Sequence, residues 1–367
     1  MGGMEPFVSG KGGLEPTERR RVARHLLLDG FGLSAQERLA ASRVVVVGAG
    51  GLGSPVLQYL AAAGVGTLGV IDDDAVELSN LQRQVLHTAA DVGRGKTDSA
   101  ADALRALAPG VEVIAHRERL TRENAASILG GYHLVVDGSD TFETRYAVSD
   151  AAAGLGLPVV WGSVLGWDGQ VSVFWSAAPD GRAITYPDVF GPQPPEGESC
   201  ATVGVLSPAC GVVGSTMAVE AVKVLTGTGD PALGRLLAYD ARTSAWDTVP
   251  LAAPAPGVDG DPGQDGAPQG SAVADDAAAP PPSSAGPVEA TAGVLLLDVG
   301  LRPGAVPGAV FARLEDLAAG SFPDELLDHP LDGPVLVVCE RGLRSRGAEQ
   351  LLRAEGWRDV TSHAILG

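Results

Sequence analysis

The stretch VVVVGAGGLGSPVLQYL, residues 44–60, joins four consecutive valines to an apolar, small-residue helix through Gly48, Gly50 and Gly53. Four β-branched residues in a row suit a strand buried on both faces. The G-x-G-x-x-G spacing gives a tight turn and lets phosphate approach the backbone N–H groups at a helix N-terminus. Strand, phosphate loop and helix are therefore predicted in that order. By itself the loop signals only a nucleotide, and a redox dinucleotide is its commonest partner. Asp72, which closes the next strand-like run, serves either reading by accepting from a ribose hydroxyl.

Working outward, further strand-like runs occupy 67–72, 111–115, 133–137, 158–161, 170–175 and 234–240, separated by amphipathic stretches. This alternation predicts an α/β fold with a Rossmann-like, mostly parallel sheet over residues 17–251, preceded by a disordered segment, 1–16. Residues 252–290 collapse into Pro, Gly, Ala, Asp and Ser, a composition that cannot bury enough apolar surface to fold, and a disordered linker is expected there. Beyond it, GVLLLDV (293–299), GPVLVVC (333–339) and the amphipathic SRGAEQLLRAEG (345–356) predict a small α/β domain over residues 291–367.

A chain of 367 residues, 45% apolar, is long enough for two cores. Its net charge of −19 repels nucleic acid and anionic membranes at long range, so neither is an expected partner. No apolar run of bilayer-spanning length and no signal peptide are expected, and the Met1-Gly2 start lacks the Ser or Thr of a myristoylation signal, with Pro6 in its place. Cys200, Cys210 and Cys339 are too few for a disulfide framework, so a reducing cytoplasm is the expected setting.

The segment IDDDAVELSNLQRQVLHTAADVGRGKTDSA (71–100) is dense in phosphate ligands and has no use in a dinucleotide oxidoreductase. Asn80, Arg83, Gln84 and Lys96 are expected to converge on a triphosphate, Arg83 gripping oxygens bidentately and Lys96, in a polar loop, acting as a point charge at the α-phosphate. Asp140 follows the strand HLVVD at the carboxyl end of the sheet, where a carboxylate suits magnesium carried by ATP; capping the next helix is its other available role.

RVARHLLLDGFG (21–32), GAGGLGSP, DDDAVELSNLQRQ, GKTDSA, DGSDTFETR and SCATVGVLSPACGVVGSTMAVEAVKVLTG (199–227) together resemble the ubiquitin-activating-enzyme-like adenylyltransferases of sulfur-carrier proteins, the MoeB/ThiF group. The resemblance implies ATP and Mg2+ as cofactors, held by Gly48, Gly50, Gly51, Gly53, Asp72, Ser79, Asn80, Leu81, Gln82, Arg83, Gln84, Lys96, Asp140 and Thr141, with magnesium on Asp140. It implies a homodimer in which Arg24, with Arg21 beside it, reaches the partner subunit's site. Arg145 matches the arginine of the family's D-N-x-x-x-R pattern, and Thr141 stands where asparagine is usual. The implied reaction is adenylation of the C-terminal Gly-Gly carboxylate of a ubiquitin-like sulfur-carrier protein, with Arg83, Lys96, Asp140 and Arg24 as its catalytic residues. Many relatives carry two CxxC pairs for a structural zinc; this sequence has none, and no zinc is expected.

The cysteines divide by context. Cys210, in an apolar helical stretch, reads as core packing. Cys200 reads either as a plain loop residue or as a thioester or acyl-disulfide cysteine. Cys339 ends a strand and opens the loop Cys339, Glu340, Arg341, Gly342, Leu343, Arg344, Ser345, where backbone N–H groups and arginines favour a thiolate or a persulfide. This loop resembles that of rhodanese domains, shortened here after the first strand and at the C-terminus. It implies sulfur transfer to give a carrier thiocarboxylate, with a cysteine desulfurase or thiosulfate as donor. The alternatives are an activating enzyme that forms a carrier thioester on Cys200, a non-catalytic carrier-docking scaffold, and an oxidoreductase.

Overall fold

The computed structural model of the chain describes residues 7–10, 12–179, 181–193, 204–251, 293–300, 306–318, 320–339 and 343–365. The expected linker 252–290, Cys200 and the loop residues Glu340, Arg341 and Gly342 lie outside them, as does part of the expected disordered start. Two compact units emerge, Met1–Val258 and Asp259–Gly367.

The first unit is built on β1 (Arg43–Val47), β2 (Thr67–Ile71), β3 (Glu112–His116), β4 (Leu134–Asp137), β5 (Val159–Leu165), β6 (Asp168–Phe174), β7 (Arg235–Asp240) and β8 (Ala245–Pro250). They pair in the order β3-β2-β1-β4-β5-β6-β7-β8. The first five run parallel, and β6, β7 and β8 add an antiparallel extension. The sheet is thus the expected α/β one, with its parallel character confined to one half. Val44, Val45 and Val46 are fully buried at its centre, which is why an uninterrupted valine run forms this strand.

The helix Gly53–Ala63 leaves the glycine loop and packs against the helix Ser207–Thr226, which also lies on β5 and β6. The latter helix has 20 residues and is apolar enough to cross a membrane by length and composition, contrary to the expectation that no run reaches that length. Its apolar surface is used internally. Leu225, Met217 and Val213 are buried, and Glu220 is held by Lys223 Nζ and the Ala232 N–H, each at 2.7 Å.

Two glycines shape the loop. Gly48 has φ +89°, and a Cβ on Gly53 would stand 1.8 Å from the Gly48 carbonyl oxygen. A Gly53→Ala chain must open the turn. Its expected loss of about 3 kcal/mol, at the upper end of overpacking costs, appears as a lowered thermal midpoint together with weakened nucleotide binding.

The second unit contains β9 (Leu295–Asp298), β10 (Val310–Phe311), β11 (Val335–Cys339) and β12 (Val360–Ala364) in a parallel sheet ordered β10-β9-β11-β12. The helix Leu343–Ala354 follows β11 and packs on β11 and β12. Leu297, Val337, Ala348, Leu352 and Val360 form its fully buried core.

Candidate nucleotide site

Strand order reverses between β1 and β4, and at their carboxyl ends opens a cavity of about 470 Å³. Gly48, Gly50, Gly51, Asp72, Gln82, Arg83, Gln84, Lys96, Asp140 and Thr141 all line it. Most of the residues singled out in the sequence are therefore brought together. Gly53 stands behind the loop, and Ser79, Asn80 and Leu81 belong to the turn that presents the next three residues rather than to the lining. Arg21 and Arg24 lie away from this chain's cavity. Arg21 donates to Glu18 Oε2 and to the Ala62 carbonyl, whereas Arg24 is exposed.

Asp72 does more than close a strand. Its carboxylate accepts from the Ala49 N–H at 2.8 Å and from the Asp74 N–H at 2.9 Å. Burial pushes its carboxyl above the ordinary range, while the Lys96 ammonium and the two N–H groups pull it back. Lys96 is not in a loop as expected: it opens the helix Lys96–Leu107 and is 6% exposed. Its Nζ donates to Asp74 Oδ2 at 2.7 Å and lies 3.8 Å from Asp72 Oδ1. The carboxylates of Asp72, Asp73 and Asp74 lie within 4.8 Å of one another, but this ammonium already occupies two of them.

Asp140 is exposed at the cavity rim, and it is not the helix cap. Thr141 caps the helix Phe142–Leu155, its hydroxyl accepting from the Thr144 N–H at 3.2 Å, so the residue in asparagine's usual place retains a local hydrogen bond. The Asp140 carboxylate is thereby left to the cavity. Arg145 secures the same turn from beneath, donating to the Ser139 carbonyl at 3.1 Å and to Ser163 Oγ at 3.2 Å, with its guanidinium over the Trp161 ring.

The fit to a polar ligand rests on one atom. Gln84 Oε1 is buried with no partner among the described residues, and Gln84 lines the cavity. Buried polar groups of this kind are satisfied by a ligand or water. Cys210 packs in the core as expected but also reaches the site: its Sγ would stand 3.1 Å from a Cβ on Gly51, and Arg83 Cγ would stand 3.4 Å from the same point. Burial pushes its thiol pKa up, against the pull of Arg83.

Sequence reading also passed over Glu118, Arg119, Leu120 and Ser163 in the lining, and His87 behind it. Glu118, Arg119 and Leu120 are consecutive residues just beyond β3, Ser163 lies on β5, and the two segments share no local motif.

Three histidines, His87, His116 and His133, are held below the ordinary value of 6.5, in each case chiefly by burial. The folded chain therefore binds fewer of these protons than the unfolded one. Their contribution to stability is complete above pH 6.5 and is lost as pH falls through the lowered folded values. A His116→Gln chain is expected to show a smaller drop in thermal midpoint between about pH 7.5 and about pH 5.5 than the parent chain.

The sequence profile of the ThiF family matches residues 22–259, more than half of the chain. The chain belongs to the ThiF family. Within reach of this ThiF-family chain are the probable adenylyltransferase/sulfurtransferase MoeZ of Mycobacterium tuberculosis, 48% identical over 250 residues, covering 68% of this chain and 64% of that protein. The sulfur carrier protein adenylyltransferase of Thermus thermophilus is 53% identical, covering 62% and 86%. The SAMP-activating enzyme E1 of Haloferax volcanii is 45% identical, covering 65% and 87%. The alignment thus spans a little under two thirds of the mycobacterial relative's length. Among solved structures, Escherichia coli MccB with ATP shares the fold, with a TM-score of 0.53, 19% identity, and 61% and 69% of the two chains covered. Selenomethionine PaaA shares it at a TM-score of 0.56 and 24% identity, covering 66% and 76%.

The rhodanese-like reading concerns the second unit. There Cys339 is 2% exposed at the end of β11. The Ser345 N–H donates to it at 3.3 Å, and the Ser345 hydroxyl, which accepts from the thiol at 3.6 Å, donates to the His363 carbonyl. Arg344 is buried beside this contact. Cys339 and Ser345 are thus brought together, while the middle of the loop lies outside the described residues.

Proposed function

We propose that the chain adenylates the C-terminal Gly-Gly carboxylate of a ubiquitin-like sulfur-carrier protein with ATP and then passes sulfur to the activated carbonyl, releasing a carrier thiocarboxylate. The observation that carries this reading is the convergence of Arg83, Lys96 and Asp140 with the glycine loop on one cavity of a ThiF-family fold. Names of the relatives, adenylyltransferase and sulfurtransferase, point the same way.

The carrier carboxylate is already a nucleophile and needs no general base. It attacks the α-phosphorus, pyrophosphate departs, and the negative charge that builds on the phosphate oxygens is met by Arg83 and Lys96. Asp140 would hold magnesium, which when bound shields the triphosphate charge. Asp72 receives the ribose hydroxyls while anchoring the loop through Ala49. Arg24 is exposed and takes no part in this chain's own cavity, which suits a role across the two-fold interface of a homodimer.

In the second half of the reaction a persulfide on Cys339, loaded by a cysteine desulfurase or from thiosulfate, attacks the acyl-adenylate carbonyl and expels AMP. The resulting acyl disulfide is split by two electrons from a thiol reductant, freeing the thiocarboxylate and the Cys339 thiol. The direct test is exchange of labelled pyrophosphate into ATP in the presence of a small carrier ending in Gly-Gly. Carrier-dependent exchange supports the reading; ATP binding with no exchange leaves only a docking scaffold.

A further inference from the structure

The polar segment that follows β2 packs three side chains onto three consecutive residues of the glycine loop. Arg83 faces Gly51, its Cγ 3.4 Å from where a Cβ on that glycine would be, and Gln84 Nε2 is 3.7 Å from the same point on Gly50. His87 meets Ala49, its Nε2 3.0 Å from the Ala49 carbonyl oxygen. Of the three, only His87 makes a hydrogen bond to the loop among the described residues. Its other nitrogen, Nδ1, lies 2.8 Å from Ser99 Oγ, on the helix that Lys96 opens.

Chemistry fixes the tautomer. A carbonyl oxygen only accepts, so Nε2 carries the proton, and Nδ1 then accepts from the Ser99 hydroxyl. The ring is 5% exposed, and burial holds its pKa down, which keeps it neutral. Ala49 is consequently gripped on both sides of its peptide units. Its N–H is bound by Asp72, and its carbonyl by His87. The peptide plane between Ala49 and Gly50 carries that carbonyl and the Gly50 N–H on opposite edges. Fixing the carbonyl fixes where the N–H points.

We infer that His87 is a positioning residue for the nucleotide: by holding the Ala49 carbonyl it aims the Gly50 N–H of the phosphate loop and locks that loop to the segment bearing Arg83 and Gln84. The inference rests on the nucleotide reading of the cavity. His87 touches no ligand itself. It acts through the loop, so its loss weakens ATP binding more than it weakens the fold.

Two amides separate this from a merely structural role. Glutamine places its Nε2 where the ring's Nε2 stands and can donate to Ala49, whereas asparagine reaches only the Nδ1 position beside Ser99. ATP binding is to be measured by calorimetry on the full chain and on His87→Gln and His87→Asn, with thermal midpoints recorded alongside. The expected result is a Kd for His87→Asn raised by about tenfold, the worth of one buried hydrogen bond, and a Kd for His87→Gln restored to within about threefold of the parent, at similar midpoints. Equal affinity in all three proteins overturns the inference, and so does a loss in His87→Gln as large as in His87→Asn. No ATP binding by the parent chain would instead sink the nucleotide reading, and the inference with it.

Discussion

Replacing Lys96 with alanine is expected to cut carrier-dependent pyrophosphate exchange by about 10²- to 10³-fold, the usual cost of removing one preorganised charge from a transition state. Lys96 is 6% exposed and lines the cavity that the glycine loop and Arg83 also line. Its first partner is Asp74, at 2.7 Å, a carboxylate that is itself two-thirds exposed, so the pair is partly solvated and can yield to a phosphate oxygen. Helix geometry survives the change, because alanine suits the first turn of Lys96–Leu107. What changes is Asp72, which loses the charge that offsets its burial, and its carboxyl pKa moves further up. A modest fall in thermal midpoint therefore accompanies the loss of exchange. Asp140→Ala separates the two effects. Asp140 is exposed and caps nothing, so that chain keeps its midpoint while losing exchange to a similar degree. Full exchange by either variant removes its residue from the chemistry.

These two residues also show what a sequence can carry. Asp140 was legible because it follows a strand that ends beside the glycine loop, and strand ends at a switch point are set by topology. Lys96 was legible as a cation of the cavity beside the glycine loop, but its place at a helix start was hidden by the polar run before it. The seven expected strands of the first unit all formed. Those missed were β8, β10 and β12, and each lies at a sheet edge. An edge strand pairs on one side only and needs little apolar burial. β8, with all six residues exposed, has no hydrophobic pattern to read.

The lining residues Glu118, Arg119, Leu120 and Ser163 were invisible for a different reason. The first three follow β3 at the sheet edge and Ser163 lies on β5, with β2, β1 and β4 between them, and no local spacing records that both segments reach one cavity. His87 falls between the cases. It sits in the middle of the segment read as a phosphate site, yet it faces a carbonyl of the chain itself, and a histidine in a polar run gives no sign of which way it points.

A Cys339→Ser chain is expected to make no carrier thiocarboxylate while adenylating the carrier at the parent rate. The substitution is nearly isosteric, and a serine hydroxyl can still accept from the Ser345 N–H that now reaches the sulfur at 3.3 Å. β11 should keep its pairing with β12, in which this position lies opposite Ala364, so the second unit stays folded. What is lost is the one atom able to form a sulfur–sulfur bond and carry the persulfide. The measurement is mass spectrometry of the carrier after incubation with ATP, a desulfurase or thiosulfate, and a thiol reductant, run beside pyrophosphate exchange. A gain of one sulfur in place of one oxygen marks the product. If the serine chain yields as much thiocarboxylate as the parent, sulfur reaches the adenylate from a nucleophile outside this unit. The buried Cys339 is then a core residue, and the small domain only docks a partner. If exchange falls together with thiocarboxylate, the two half-reactions are not separable and the assignment of Cys339 to the second alone fails.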